Sequence, residues 1–177
     1  TVRPLMLMDG AHEVNEVFFD DVKVPAQNLV HEEGRGWTVA KYLLGYERMN
    51  TGRIGESKRQ LAKLKEFSKE KQKANSRFRD RLSRLEVELM ALEITNLRFL
   101  DRMRRTGQPP GADVSMLKIR GTEIQQALTE LAMQAADPAA QETQALERRY
   151  LDMRKTTIYA GSNEIQRNII AKMTLGL

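Results

Sequence analysis

Hydrophobic and polar residues follow two rhythms along the chain, and the change falls near residue 30. Val2 to Met8 and Val14 to Phe19 are short, apolar and rich in β-branched residues, with the turn signal Asp9-Gly10 between them. That pattern predicts a β-hairpin. A second turn at Asp20-Asp21 leads into Val22-Lys23-Val24-Pro25, where the proline closes any third strand. Two or three strands do not make a stable sheet by themselves, so they are expected to belong to a larger β-element or to pack on helices.

From Glu32 onward the period is helical. Trp37, Ala40, Leu44, Glu47, Thr51, Ile54 and Leu61 fall near one face at steps of three and four, which predicts a first helix running to about Lys73. A break at Ala74-Asn75-Ser76 follows, with Ser76 as the expected cap. Phe78, Leu82, Leu85, Leu89, Leu92, Asn96, Phe99 and Met103 then alternate steps of four and three. A second stripe of Val87, Met90, Ile94 and Leu97 makes this second helix apolar on two sides, which places it inside a bundle. Thr106 to Gly111 is a loop by composition. A third helix starts near Asp113 and carries Leu117, Gly121, Ile124, Leu128, Leu131 and Ala135 on one face until Pro138. Gly121 either admits a neighbouring helix closely or merely lowers helix propensity. A short helix from Leu146 to Lys155, a break at Ala160-Gly161 and a terminal helix from Ser162 to about Thr174 complete the pattern. The expected fold is all-α, an antiparallel four-helix bundle with a short N-terminal β remnant. It divides into residues 1–30 and residues 31–177.

Composition narrows the chemistry. The 177 residues are 41% hydrophobic and 30% charged, enough for a buried core. There is no Cys and there are two His, His12 and His31. Thiolate metal sites, disulfides and a Cys nucleophile are thereby excluded, and a metal site or a Ser-His-Asp triad has almost nothing to build on. The absence of Cys fits a reducing compartment, with the cytoplasm as the expected location. No apolar stretch approaches a membrane span. Thr1 stands where an initiator Met is usual, which reads as a processed, tagged or truncated start. Residues 53–84 carry twelve Lys or Arg against four Asp or Glu, whereas residues 1–52 sum to −3 and residues 85–177 to zero. Such a stretch is either a solvated helical face or a surface for anions; Phe67 and Phe78 alone are thin for stacking on nucleic-acid bases, and no nucleic-acid partner is expected.

Two places bear chemistry. Glu47 lies in register with the apolar face of the first helix. A carboxylate there is either a general base made more basic by desolvation, with Arg48 moderating the effect, or half of a structural ion pair with Lys118 or Arg120. The stretch Lys155 to Arg167 reads as a helical turn, a glycine break and a helix opened by Ser162 or Asn163. Free N–H groups at such a start favour an anionic or strongly polar ligand, and an ordinary capped helix is the simpler alternative.

The run from Ile158 to Lys172 (IYAGSNEIQRNIIAK) resembles the C-terminal signature of the acyl-CoA dehydrogenases. Glu16 to Pro25, Asn28-Leu29-Val30, Gly34-Arg35-Gly36-Trp37 and Ser115-Met116-Leu117-Lys118 resemble that family's last β-strand, the turn into its C-terminal bundle and the opening of its third bundle helix. The resemblance covers essentially the whole chain. It implies a C-terminal bundle, residues 31–177, preceded by the tail of a middle β-domain, residues 1–30. It also implies FAD as cofactor, an acyl-CoA thioester as substrate, dimers or tetramers of like or unlike subunits, and electron transfer to an electron-transfer flavoprotein.

Members of this family place the catalytic Glu either before the Gly of the signature, here Ala160, or on the first bundle helix before an Arg, here Glu47 followed by Arg48. The resemblance thus implies Glu47 as the base and Arg48 as its electrostatic neighbour. It implies Ala160, Gly161, Ser162 and Glu164 as cofactor-site positions, the Ala160 N–H polarising the thioester carbonyl. The family's Arg-x-x-Phe-Gly and Gln-x-x-Gly-Gly passages are absent, and the basic segment with Lys71 and Lys73 is expected to take over phosphate contacts by charge. A degenerate, non-catalytic subunit serving assembly is the alternative reading, and an acyl-CoA oxidase is a second.

Overall fold

A computed structural model describes residues 1–47 and 50–177. Strands β1 (Val2–Met6) and β2 (His12–Val17) pair antiparallel, Val2 against Val17 and Leu5 against Val14, with a register shift between Leu5 and Met6. Gly10 turns the hairpin at φ +78°. Residues 22–24 form no strand. Both faces of the ribbon are exposed, and an ion pair from Glu13 to Lys155 ties it to the helices.

The expected first helix is three helices: α1 (Gly36–Glu47), α2 (Ile54–Phe67) and α3 (Lys69–Ala74). Arg53 sits at φ +42°, outside helical geometry, and buried Gly52 is pressed against the third predicted helix. Propensity alone would have let the helix continue; packing stops it. Helix α1 buries none of its described residues, so Trp37 and Leu44 face outward rather than into a core.

Helix α4 (Ser76–Thr106) buries Phe78, Leu82, Leu85, Leu89, Leu92 and Phe99, as its spacing predicts. Its cap is Asn75, not Ser76: the Asn75 Oδ1 accepts the Phe78 N–H at 3.0 Å. The second stripe, Val87, Met90, Ile94 and Leu97, is more than half exposed at every position. Only one side of α4 meets α2 and α5, so the expected bundle-interior position is corrected to the bundle's outer wall.

Helix α5 (Ser115–Ala135) is the central element, touching α2, α4, α6 (Thr143–Asp152) and α7 (Asn163–Ile170). One face supplies Leu117, Ile124, Leu128 and Leu131 to the apolar core. The adjacent face buries Lys118, Thr122, Gln125 and Thr129, again at steps of four and three. Lys118, Thr122 and Thr129 have hydrogen-bonding work toward the α6–α7 end, where the site lies, whereas Gln125 Nε2 is buried without a partner among the described residues. Ala160 and Gly161, both left-handed at φ +55° and +78°, separate the turn after α6 from α7. Ser162 caps α7, its Oγ accepting the Ile165 N–H at 3.3 Å.

Candidate functional site

A cleft of about 310 Å³ opens where the end of α1, the turn before α2, the start of α5 and the turn before α7 converge. Its walls are Glu47, Asn50, Thr51 and Arg53 on one side and Thr156, Tyr159 and Ala160 on the other, with Lys118 and Thr122 between. Glu47 and Ala160, 113 positions apart in sequence, therefore border the same space. Gly161, Ser162 and Glu164 continue past the turn and do not line it.

Glu47 is exposed rather than turned into a dry interior. The physical reason is that α1 has no covering layer among the described residues. No ion pair joins it to Lys118 or Arg120 among those residues either: Arg120 pairs with Glu88 and Glu123, and Lys118 binds Asn163. Arg48 lies outside the described residues.

The floor is the unexpected part. Lys118 is 1% exposed, and its ammonium donates to Asn163 Oδ1 at 2.9 Å. Asn163 Nδ2 donates to Thr122 Oγ1 at 3.1 Å, and that hydroxyl donates to the Lys118 carbonyl at 2.9 Å. Burial pushes the Lys118 ammonium below its usual range, and the Glu164 carboxylate opposes that shift. Glu164 is held below the ordinary carboxylate range by its own backbone N–H and the Ser162 hydroxyl, with help from Arg167 and Lys118. The apolar stripe of α5 drew attention away from these residues. The signal that would have found them is the polar repeat Lys118, Thr122, Gln125, Thr129 running beside it.

The turn before α7 leaves backbone donors unpaired. Among the described residues, the backbone N–H groups of Ala160, Gly161 and Ser162 donate to no partner. Gly161 suits its left-handed conformation at φ +78°, and a Cβ there would stand 2.6 Å from Gln166 Nε2, so the end of that side chain would have to shift. In the basic segment, Lys73 is paired with Glu70 at 2.7 Å, while Lys71, Arg77 and Arg81 surround a smaller hollow of about 200 Å³.

The model of the acyl-CoA dehydrogenase C-terminal domain matches residues 34–175. The chain belongs to the acyl-CoA dehydrogenase family. Acyl-CoA dehydrogenase IpdE1 of Mycobacterium tuberculosis is 35% identical over 185 residues, a match covering 99% of this chain and 47% of that protein. Acyl-CoA dehydrogenase FadE34 of the same organism is 32% identical, covering 99% and 24%. Among solved structures, an acyl-CoA dehydrogenase from Geobacillus kaustophilus superposes with a TM-score of 0.84 at 28% identity, covering 99% of this chain and 48% of that one. The chain thus spans less than half the length of these curated acyl-CoA dehydrogenases. The neighbours share the helical C-terminal architecture described above. Acyl-CoA dehydrogenases are generally FAD-dependent. No described helix is long and apolar enough to cross a membrane.

Proposed function

We propose that this chain is the C-terminal catalytic region of an FAD-dependent acyl-CoA dehydrogenase, introducing an α,β double bond into an acyl-CoA thioester. On this reading residues 1–30 are the tail of the middle β-domain and residues 31–177 the bundle. The single observation that carries it is the cleft shared by Glu47 and the Ala160 turn. Glu47 is the base and takes the proton from the α-carbon. The electron pair left behind becomes the double bond as hydride departs from the β-carbon. The Ala160 N–H, free of any backbone partner among the described residues, donates to the thioester oxygen and stabilises the negative charge that develops there. Closing of the cleft by the bound thioester excludes water from the space between Glu47 and the Ala160 turn.

The cofactor reading is supported by the N–H groups of Gly161 and Ser162, which have no partner among the described residues. These groups would hold polar oxygens of the flavin side of FAD; the bound flavin supplies the hydride acceptor. Glu164 flanks that surface. Arg48 is the proposed electrostatic neighbour of the base. Electron-transfer flavoprotein is the proposed acceptor of the electrons, and the exposed α4 stripe is the proposed contact with a further subunit, like or unlike, in a dimer or tetramer.

Substituting Glu47→Gln in the flavin-loaded enzyme tests the assignment. The variant keeps its flavin and loses about 10²–10⁴-fold in turnover of an acyl-CoA thioester with an artificial electron acceptor. Turnover equal to the parent enzyme overturns the base assignment.

A further inference from the structure

The cleft has a floor that the proposed chemistry does not use. Lys118 is almost fully buried, yet its one hydrogen-bond partner among the described residues is the side chain of Asn163. Asn163 is itself 3% exposed and is the first residue of α7, two positions after Gly161. Its amide is held at both ends: the oxygen by Lys118 of α5, the nitrogen by Thr122 one turn further along the same helix. Helix α7 is also tied to α5 by the Arg167–Glu123 ion pair at 3.1 Å, but Asn163 is the anchor next to the Ala160–Gly161 turn, where a non-glycine residue at φ +55° is costly to hold.

We propose that Lys118 is a positioning residue, which grips Asn163 so that the turn before α7 holds the free Ala160 N–H at the cleft opposite Glu47. The proposal rests on the dehydrogenase reading above and deepens it. An ammonium suits this place because it donates without accepting and can bond the carbonyl oxygen of Asn163 while Thr122 serves the amide nitrogen. The geometry distinguishes this latch from ordinary core packing. Its two anchors lie on one rigid helix and its load is the residue that opens the next, so a displacement at Asn163 passes directly to the turn. A shift of about 1 Å in such a donor costs up to about 100-fold in rate.

The test uses Lys118→Met, which keeps an unbranched side chain one atom shorter and removes its donor, and Asn163→Asp, which keeps an oxygen for the ammonium. In the flavin-loaded enzyme, Lys118→Met is expected to lower kcat about 10–100-fold with KM changed by less than about twofold, since the donor acts on the reacting carbonyl rather than on the bulk of the ligand. Asn163→Asp keeps kcat within about threefold of the parent. Amide hydrogen exchange across residues 159–164 rises in Lys118→Met and stays at the parent level in Asn163→Asp. That exchange measurement decides the latch even if the parent enzyme turns over no thioester, in which case the dehydrogenase reading falls by itself. Unchanged kcat and unchanged exchange in folded Lys118→Met overturn the proposal. So does a change confined to KM. Should Lys118→Met not fold, Lys118→Gln replaces it in the same measurements; failure of both to fold overturns the positioning role in favour of a purely structural one.

Discussion

Gly121 of α5 and Gly52 of the turn between α1 and α2 touch backbone to backbone. A Cβ built on Gly121 would stand 2.5 Å from Gly52 Cα and 2.7 Å from the Gly52 carbonyl oxygen, distances no side chain accepts. The contact presses the turn that follows Glu47 onto the helix that carries Lys118. Of the two readings open for Gly121 in the sequence, close approach is the one the fold uses. Gly121→Ala is therefore expected to cost about 1–3 kcal/mol in stability and to lower turnover by moving one wall of the cleft. Gly52→Ala, whose nearest neighbour is the Leu117 carbonyl at 3.3 Å, costs less. Urea unfolding of the two variants side by side checks the order.

The turn before α7 contains two left-handed residues of opposite standing. Ala160 tolerates φ +55° under strain, whereas Gly161 at φ +78° has no penalty. Gly161→Ala adds backbone strain and a clash with Gln166, so a loss of about 1–2 kcal/mol is expected. Ala160→Gly relieves strain and is expected to leave the melting temperature equal or higher. Differential scanning calorimetry distinguishes the two; a stabilising Gly161→Ala would contradict the geometry.

Asp113 and Arg102 form a two-pronged ion pair at 2.7 and 2.9 Å that fastens the start of α5 to the end of α4. The guanidinium holds the Asp113 carboxyl below its ordinary value. A carboxyl depressed by folding binds fewer protons in the native state than in the unfolded one, so its stabilisation is complete above the unfolded value, about 3.9. It is lost as the pH falls through the depressed native value. Arg102→Ala removes this dependence. The difference in unfolding free energy between parent and variant is expected to be of order 1 kcal/mol near neutrality and to shrink toward zero in acid; a difference that grows in acid would refute the sign.

Val87, Met90, Ile94 and Leu97 make an apolar ridge on the outside of α4. A double substitution, Met90→Glu with Ile94→Lys, places charge on that ridge without touching the core residues Leu85, Leu89 and Leu92. The expected result is a smaller assembly by analytical ultracentrifugation with the same helical content. An unchanged sedimentation coefficient would remove this ridge from the subunit contact.

How much of this was legible in the chain follows from what each pattern can encode. The Phe78–Phe99 register was readable because a step of four and three repeated over six turns has one physical cause, a single buried face. The stripe at Val87–Leu97 has two causes, a bundle interior or a surface shared with another chain, and periodicity does not separate them. The break at Gly52 was hidden because it is enforced by Gly121, some seventy residues later, rather than by local propensity. Glu47 and Ala160 were both singled out, the first by its register and both by resemblance, and they meet at one cleft. Exposure of Glu47 was not readable, since helical phase says which residues share a face and not whether anything covers it. Lys118 was noticed as a possible partner for Glu47 and as the end of the Ser115–Lys118 run, not as part of a site. Its true neighbour, Asn163, became visible only once α5 and α7 were packed together.

The hairpin at the start of the chain has a further consequence. Each of its two strands offers an outer seam of amide and carbonyl groups to whatever extended polypeptide comes alongside, and backbone seams read no side chains. Prepared by itself at high concentration, the chain is therefore disposed to stitch copies together through this ribbon. Screening those seams, by an added strand or a proline on β1 or β2, is the practical route to a monodisperse sample.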